Sequence, residues 1–340
     1  MTNTLRIAVV GAGSIARRYH LPSLVRLSQK KDVELAALCD IDEQRARAMA
    51  AHFGFQHTYQ NCHAMLESEA PDAVWVLVPI AAMREVAGLF LSQGIPTLME
   101  KPPGSNSRET SELLEIAQRE NTPHQVAFNR RHAPLLRRMK ALLEEVEKPV
   151  QFLSCQFHRV NRREQDFAYG TGLHGLDTLN WLGASEICEV HTENISHNGA
   201  LITLTYANGA QGMMEMLPCV GVQSERYTAH AGERTVVVDG IVEWLTSFPG
   251  YLRCFDGGET SLHIKDARTF PEIVGGFCGE SAHFVKCLYE GTTPSPGLEE
   301  ALRSVCIAEA VNAGENVLFS QDGASPTSDT PRPSPLLEAN

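Results

Sequence analysis

Residues 6–16 read Arg6-Ile7-Ala8-Val9-Val10-Gly11-Ala12-Gly13-Ser14-Ile15-Ala16. The apolar run Ile7 to Val10 leads directly into a G-x-G-x-x-A loop, and a helical stretch carrying Arg17 and Arg18 follows. In that order each residue type has a mechanical use. Gly11 permits a tight turn, Gly13 lets the backbone approach a pyrophosphate, and Ala16 keeps the helix close to the sheet while the helix N-terminus faces the anion. Ser14 and Ile15 complete the expected cradle. Context makes the loop specific, because it follows a first strand and Asp40 stands at the end of a second. A carboxylate at that place accepts hydrogen bonds from ribose hydroxyls and repels a 2′-phosphate, which favours NAD; Arg45, one helical turn on, leaves NADP open.

Outward from this loop, short apolar runs alternate with helical patterns: Arg6 to Val10, Glu34 to Cys39, Ala73 to Val78, Thr97 to Met99 and His124 to Phe128. They are continuously apolar, as parallel strands covered on both faces are. Glu43 to Phe53, Met83 to Gln93 and Ser107 to Arg119 read as the intervening helices, with Gly54 and Gly94 where C-caps belong. A basic helix, Ala133 to Glu147, and Pro149 then mark a change of pattern. Strand-like segments at 151–158, 200–206, 210–216, 227–231, 235–238 and 261–264 follow, with Ala207-Asn208-Gly209 as a hairpin turn. Two closing helices, Glu280 to Tyr289 and Leu298 to Asn312, are expected to cover one face of that sheet. The expected class is α/β: a Rossmann doubly wound sheet over 1–128, an α+β domain with an open, mostly antiparallel sheet over 129–319, and a Ser/Pro-rich disordered tail over 320–340.

Composition narrows the function classes. The chain has 340 residues, 43% hydrophobic and 21% charged, enough for two cores at about 150 residues each. A net charge of -12 argues against a nucleic-acid partner, which needs a basic face. Nine cysteines without a C-x-x-C pair read as reduced thiols in a cytoplasmic setting, with neither a disulfide framework nor a zinc site. No apolar run approaches the ~18 residues of a membrane span.

At the end of the Thr97 strand stands Met99-Glu100-Lys101-Pro102-Pro103. The prolines stiffen the chain, so the Lys101 ammonium is held in a defined direction at the carboxyl end of a strand, where open α/β sheets bind ligands. With this stretch, the sequence resembles the Gfo/Idh/MocA oxidoreductases over residues 5–319. The resemblance rests on Gly11-Ala12-Gly13, Cys39-Asp40, Glu100-Lys101-Pro102, Asn129-Arg130-Arg131, His174 with Asp177 and Trp181, and Gly275-Gly276-Phe277 leading to His283-Phe284. It implies hydride transfer between a nicotinamide and a hydroxyl or carbonyl of a sugar or cyclitol, and a homodimer or homotetramer formed through the second sheet. It further implies that Lys101 and His174 are catalytic, that Pro79, Glu100, Lys101 and Asn129 border the cofactor, and that Arg131, Tyr169 and Asp177 join them at the substrate.

Two departures from the family pattern stand out. Gly170 occupies the place of an aspartate four residues before the histidine, and the T-P-x-x-x-H segment reads Val78-Pro79-Ile80-Ala81-Ala82-Met83. Tyr169, Asp166 and His158 are the candidates to replace the missing carboxylate. Two alternatives to a dehydrogenase therefore stay open: elimination or glycoside cleavage through transient oxidation, and a nucleotide-binding sensor.

Overall fold

The computed structural model describes residues 4–195 and 199–319; the expected tail lies outside the described residues. The first half alternates strand and helix. β1 (Leu5–Val10) leads through a π-helical turn (Ala16–His20) into α1 (Leu21–Gln29); β2 (Val33–Cys39) and α2 (Glu43–Phe53) follow. The short pair β3 (His57–Tyr59) and α3 (Cys62–Glu69), absent from the sequence reading, precedes β4 (Ala73–Val76), α4 (Ile80–Ser92), β5 (Thr97–Met99), α5 (Ser107–Arg119) and β6 (His124–Val126). The six strands form one sheet in the order β3-β2-β1-β4-β5-β6, and every neighbouring pair is parallel. Strand order reverses between β1 and β4, so the loops leaving their carboxyl ends part and open a crevice.

Local chemistry places the helix ends. The Asp42 side chain accepts from the Arg45 amide at the start of α2, and Gly54 ends it with φ +83°. Asn106 caps α5 by accepting from the Glu109 amide.

The second half continues with α6 (Pro134–Glu144), β7 (Val150–His158), α7 (Leu173–Gly183), β8 (Ile187–Ile195), β9 (Gly199–Tyr206), β10 (Gln211–Leu217), β11 (Ser224–Ala231), β12 (Arg234–Asp239), β13 (Tyr251–Asp256) and β14 (Glu259–Lys265). After these come α8 (Pro271–Val274), α9 (Phe277–Glu290), α10 (Leu298–Ala313) and β15 (Val317–Leu318). The nine strands run β14-β13-β12-β11-β7-β10-β9-β8-β15. Only β7 and β10 pair in parallel, so the sheet is mostly antiparallel as expected. Asn208 and Gly209 turn β9 into β10, with Gly209 at φ +84°.

The closing helices depart from expectation. α6 and α7 cover the second sheet, whereas α9 packs on α1 at the first. Phe284 is fully buried in the Rossmann core, with its ring edge-on to Trp75 at 5.3 Å. Burying such a ring contributes about 1.5–3 kcal/mol, enough to hold the returning chain there. α10 lies on α5 and α7 and joins the two halves. Both faces of the crevice are thereby fixed by packed helices.

Candidate active site

The crevice is a cleft of about 690 Å³, within the range of small-molecule sites, and its walls come from both halves of the chain. At one end lies the glycine loop. Gly11 has φ +99°, and a Cβ there would collide with the Leu77 carbonyl, so only glycine fits the turn. A Cβ on Gly13 would meet nothing within 4 Å, which leaves bare backbone against open space, as an approaching diphosphate requires. Ser14, Ile15 and Pro79 line the same end.

Asp40 is held by its surroundings. Its carboxylate accepts from the Ala12 amide at 2.8 Å, the Asp42 amide at 2.9 Å and Arg45 Nη2 at 2.9 Å. Burial pushes its pKa up, but these amides and the guanidinium outweigh burial and hold it below the usual carboxylate value. Arg45 therefore serves Asp40. Exposed Ile15 and Ile41 leave apolar surface beside this pair.

Glu100, Lys101, Asn129 and His174 line the other end. Glu100 Oε1 lies 2.8 Å from Nε2 of the fully buried His20. Lys101 Nζ donates to the Gly170 carbonyl at 2.6 Å. Burial pulls its pKa down to about 8, and Arg130, Arg162 and Arg159 add to this against the pull of Glu100. Asn129 donates to the Gly275 carbonyl at 2.6 Å and accepts from Arg130. Close approach fixes that contact: Gly276 has φ +91°, and a Cβ there would collide with the Asn129 carbonyl.

His174 sits on the first turn of α7, directly after a π-helical turn (Ala168–Gly172). Its Nδ1 is buried without a hydrogen-bond partner. Burial drives the imidazole well below its ordinary pKa, and Arg130, Lys101 and Arg159 push the same way. The ring is neutral at pH 7 and can accept a proton.

Three expected substrate residues do not line the cleft. Arg131 is spent on a buried fork to Asp177, at 2.9 and 2.7 Å, and on Glu300 at 2.8 Å, which ties α7 to α10. Tyr169 donates to the Gly104 carbonyl at 2.7 Å, and burial raises its hydroxyl pKa. The candidate replacements for the missing carboxylate are elsewhere too. His158 pairs with Glu215 at 3.1 Å, and neither it nor Asp166 lines the cleft. Met83, in place of the family histidine, is buried in the core.

The sequence reading missed Arg159 and Arg162, which line the cleft with Arg130, Thr171 and Trp244. Arg159 and Arg130 share the buried Glu225: Arg130 contacts it at 3.0 and 3.2 Å, Arg159 at 2.7 Å. The run Arg159-Val160-Asn161-Arg162-Arg163 at the end of β7 carried the signal, being basic at a strand terminus.

Residues 5–128 match the model of an oxidoreductase family with an NAD-binding Rossmann fold, GFO_IDH_MocA. An inositol 2-dehydrogenase of Corynebacterium glutamicum is 26% identical over 232 residues, 64% of this chain and 68% of the relative. A putative oxidoreductase, YceM, of Salmonella typhimurium is 26% identical over 318 residues, 91% of this chain and 97% of the relative. Among solved structures, a dehydrogenase from Chromobacterium violaceum superimposes with TM-score 0.81 at 17% identity, covering 92% of this chain and 95% of its own.

Proposed function

The chain belongs to the Gfo/Idh/MocA oxidoreductases, and from that premise we propose that it oxidises a hydroxyl, or reduces the matching carbonyl, of a sugar, sugar derivative or cyclitol. One observation carries the reading. Lys101 from the Rossmann half and His174 from the second half line the same cleft as the glycine loop and Asp40, close enough for the lysine charge to act on the imidazole.

The residues present fit a dinucleotide. Gly11 and Gly13 would take the diphosphate, Asp40 the ribose, and the apolar surface of Ile15 and Ile41 the adenine. NAD bound there supplies the hydride acceptor. The protein's own groups handle the oxygen. Neutral His174 accepts the hydroxyl proton in the oxidation direction and returns it in reduction. Lys101 has one N–H on the Gly170 carbonyl, which aims the ammonium and leaves its remaining donors for the reacting oxygen, where negative charge develops. Arg131 and Asp177 act behind this centre by holding α7, and so the His174 backbone, in place.

Glu225 and Tyr169 hold neighbouring segments in the same indirect way. Nine cysteines free of disulfides suit a reducing cytoplasm, and no helix among the described residues is long and apolar enough to cross a membrane. The open second sheet is the surface through which a dimer or tetramer would form. Following NADH absorbance while a panel of sugars and polyols is offered to the purified protein tests the catalytic reading. Steady NADH formation with at least one member is expected, and substrate loss without NADH would refute it.

A further inference from the structure

Charge is balanced differently at the two ends of the cleft. At the dinucleotide end, Arg45 and Asp40 neutralise one another at 2.9 Å. At the reacting end, four cations line the wall: Lys101, Arg130, Arg159 and Arg162. Glu225 is fully buried behind Arg130 and Arg159, and its single negative charge is divided between two guanidinium groups. Arg159 is 1% exposed, lies 3.7 Å from the Phe157 ring and 4.6 Å from that of Trp244, and its Nε is buried without a hydrogen-bond partner. Glu100, the carboxylate that lines this end, is engaged by His20 and by the Lys101 amide. Arg162 is paired with Glu164 and donates to Thr171 Oγ1 at 2.8 Å, with its side chain 43% exposed at the mouth.

Three carboxylates, Glu225, Glu100 and Glu164, stand against the four cations, so this end keeps a net positive charge that an entering anion would balance. The missing carboxylate sharpens the point. Gly170 contributes no side chain, so no carboxylate from this position competes for Lys101, whose ammonium meets only the Gly170 carbonyl there. Proton uptake by His174 adds one more positive charge among these cations, and a bound anion would offset it.

We propose that the substrate of this dehydrogenase carries an oxyanion, a carboxylate or a phosphate, which Arg162 contacts directly while Arg130 and Arg159 attract it and Lys101 and His174 hold the reacting hydroxyl. The inference rests on the dehydrogenase reading and adds a substrate class to it. Of the three arginines, Arg130 and Arg159 hold the buried Glu225 and Arg162 does not, and Lys101 is reserved for the reacting oxygen, so Arg162 is the residue to change.

The test compares matched substrates on the NAD-saturated protein: a neutral hexose, the corresponding hexuronate and the corresponding hexose 6-phosphate. Either anionic member should exceed the neutral one in kcat/KM by ~10-fold or more, and the better of the two identifies the source of the oxyanion. Arg162→Ala should lower the anionic kcat/KM by on the order of 10- to 100-fold, mainly through KM, and the neutral one by less than about 3-fold, as expected on losing a charge-assisted contact. A binding measurement without turnover accompanies it, by calorimetric titration of the NADH-loaded protein with hexuronate and with inorganic phosphate. Wild type should bind one of them, and both Arg162→Ala and Gly170→Asp should weaken that binding. Neutral substrates that match or surpass their anionic partners would overturn the proposal and leave the dehydrogenase reading standing. Anion binding lost in Arg162→Ala, without NADH formation from any substrate, would support the anion site and refute the dehydrogenase. Neither binding nor turnover would refute both.

Discussion

Replacing Glu225 with glutamine tests the charge arrangement on which the reacting end depends. Glu225 is fully buried, takes a forked pair of contacts from Arg130, a third from Arg159 and a hydrogen bond from the Tyr227 hydroxyl at 2.9 Å. Burial pushes its carboxyl upward, but Arg130, Arg159 and the donated hydrogen bonds overcome this and bring the pKa from 4.5 to about 2. At ~1.4 kcal/mol per unit, that displacement stabilises the folded protein by roughly 3 kcal/mol at neutral pH. Losing one partner of a buried pair costs a similar ~3–5 kcal/mol. Glu225→Gln should therefore lower the melting temperature at pH 7 by roughly 6–12 °C, taking ~2–4 °C per kcal/mol for a domain of this size.

The sign of the pH dependence follows from the direction of the shift. The folded pKa is depressed, so the stabilisation is complete above the unfolded value near 4.5 and is lost as pH falls toward about 2. The gap in melting temperature between wild type and variant should narrow across that acid window. Scanning fluorimetry on both proteins from neutral to acidic buffer reads the two quantities together. A loss under about 2 °C at neutral pH, or a gap that does not change with acid, would show that Glu225 is not the counter-charge described.

Lys101→Ala should reduce kcat by ~100-fold or more while calorimetry finds NAD affinity little changed, and wild-type turnover should decline as pH rises through about 8, where the ammonium is lost. His174→Asn should depress kcat/KM by roughly 100-fold with NAD affinity nearly intact; wild-type-like turnover would remove it from the proton path. NAD should bind more tightly than NADP, and Asp40→Ser should narrow the difference; calorimetry showing tighter NADP binding by wild type would contradict the role given to Asp40. Arg131→Ala, which frees the buried Asp177, should melt several degrees lower and lose activity mainly through misplacement of α7, a loss that Arg131→Lys should recover in part.

β1, β2, β4 and β5 were legible because each is predominantly apolar, α2 because a cap stands at both ends, and α5 because Asn106 caps its start ahead of a periodic face. β3 and α3 were not: three residues at a sheet edge and an eight-residue helix bury too little to leave a pattern. β8 and β13 escaped for a related reason, since polar residues interrupt both. The destination of α9 is a separate matter. An amphipathic face records that a helix is buried, not against which sheet, and Phe284 meets Trp75 across more than 200 residues of sequence. Gly13 and Lys101, read from local motifs, are among the residues that line the cleft. Arg131 and Asp177 were placed at the substrate by the family resemblance, and their mutual pairing over 46 positions is a tertiary fact that neither segment announces.

The glycine at 170 and the arginines at 159 and 162 belong to one arrangement. A carboxylate at 170 would lie beside Lys101, compete for its ammonium and raise the basicity of His174; without it, the Gly170 carbonyl takes one lysine N–H, and the imidazole stays neutral among cations. A neutral imidazole is the correct form for accepting a proton, but charging it there is expensive unless negative charge is close by. Within the protein, the Glu225 charge is already divided between Arg130 and Arg159, and Glu100 is engaged by His20. The compensating charge must come from what enters the cleft, so proton transfer is coupled to occupancy by a ligand of the right sign. Discrimination then operates on the barrier as well as on binding, since a neutral ligand of the same shape fills the space and leaves His174 as hard to protonate as before.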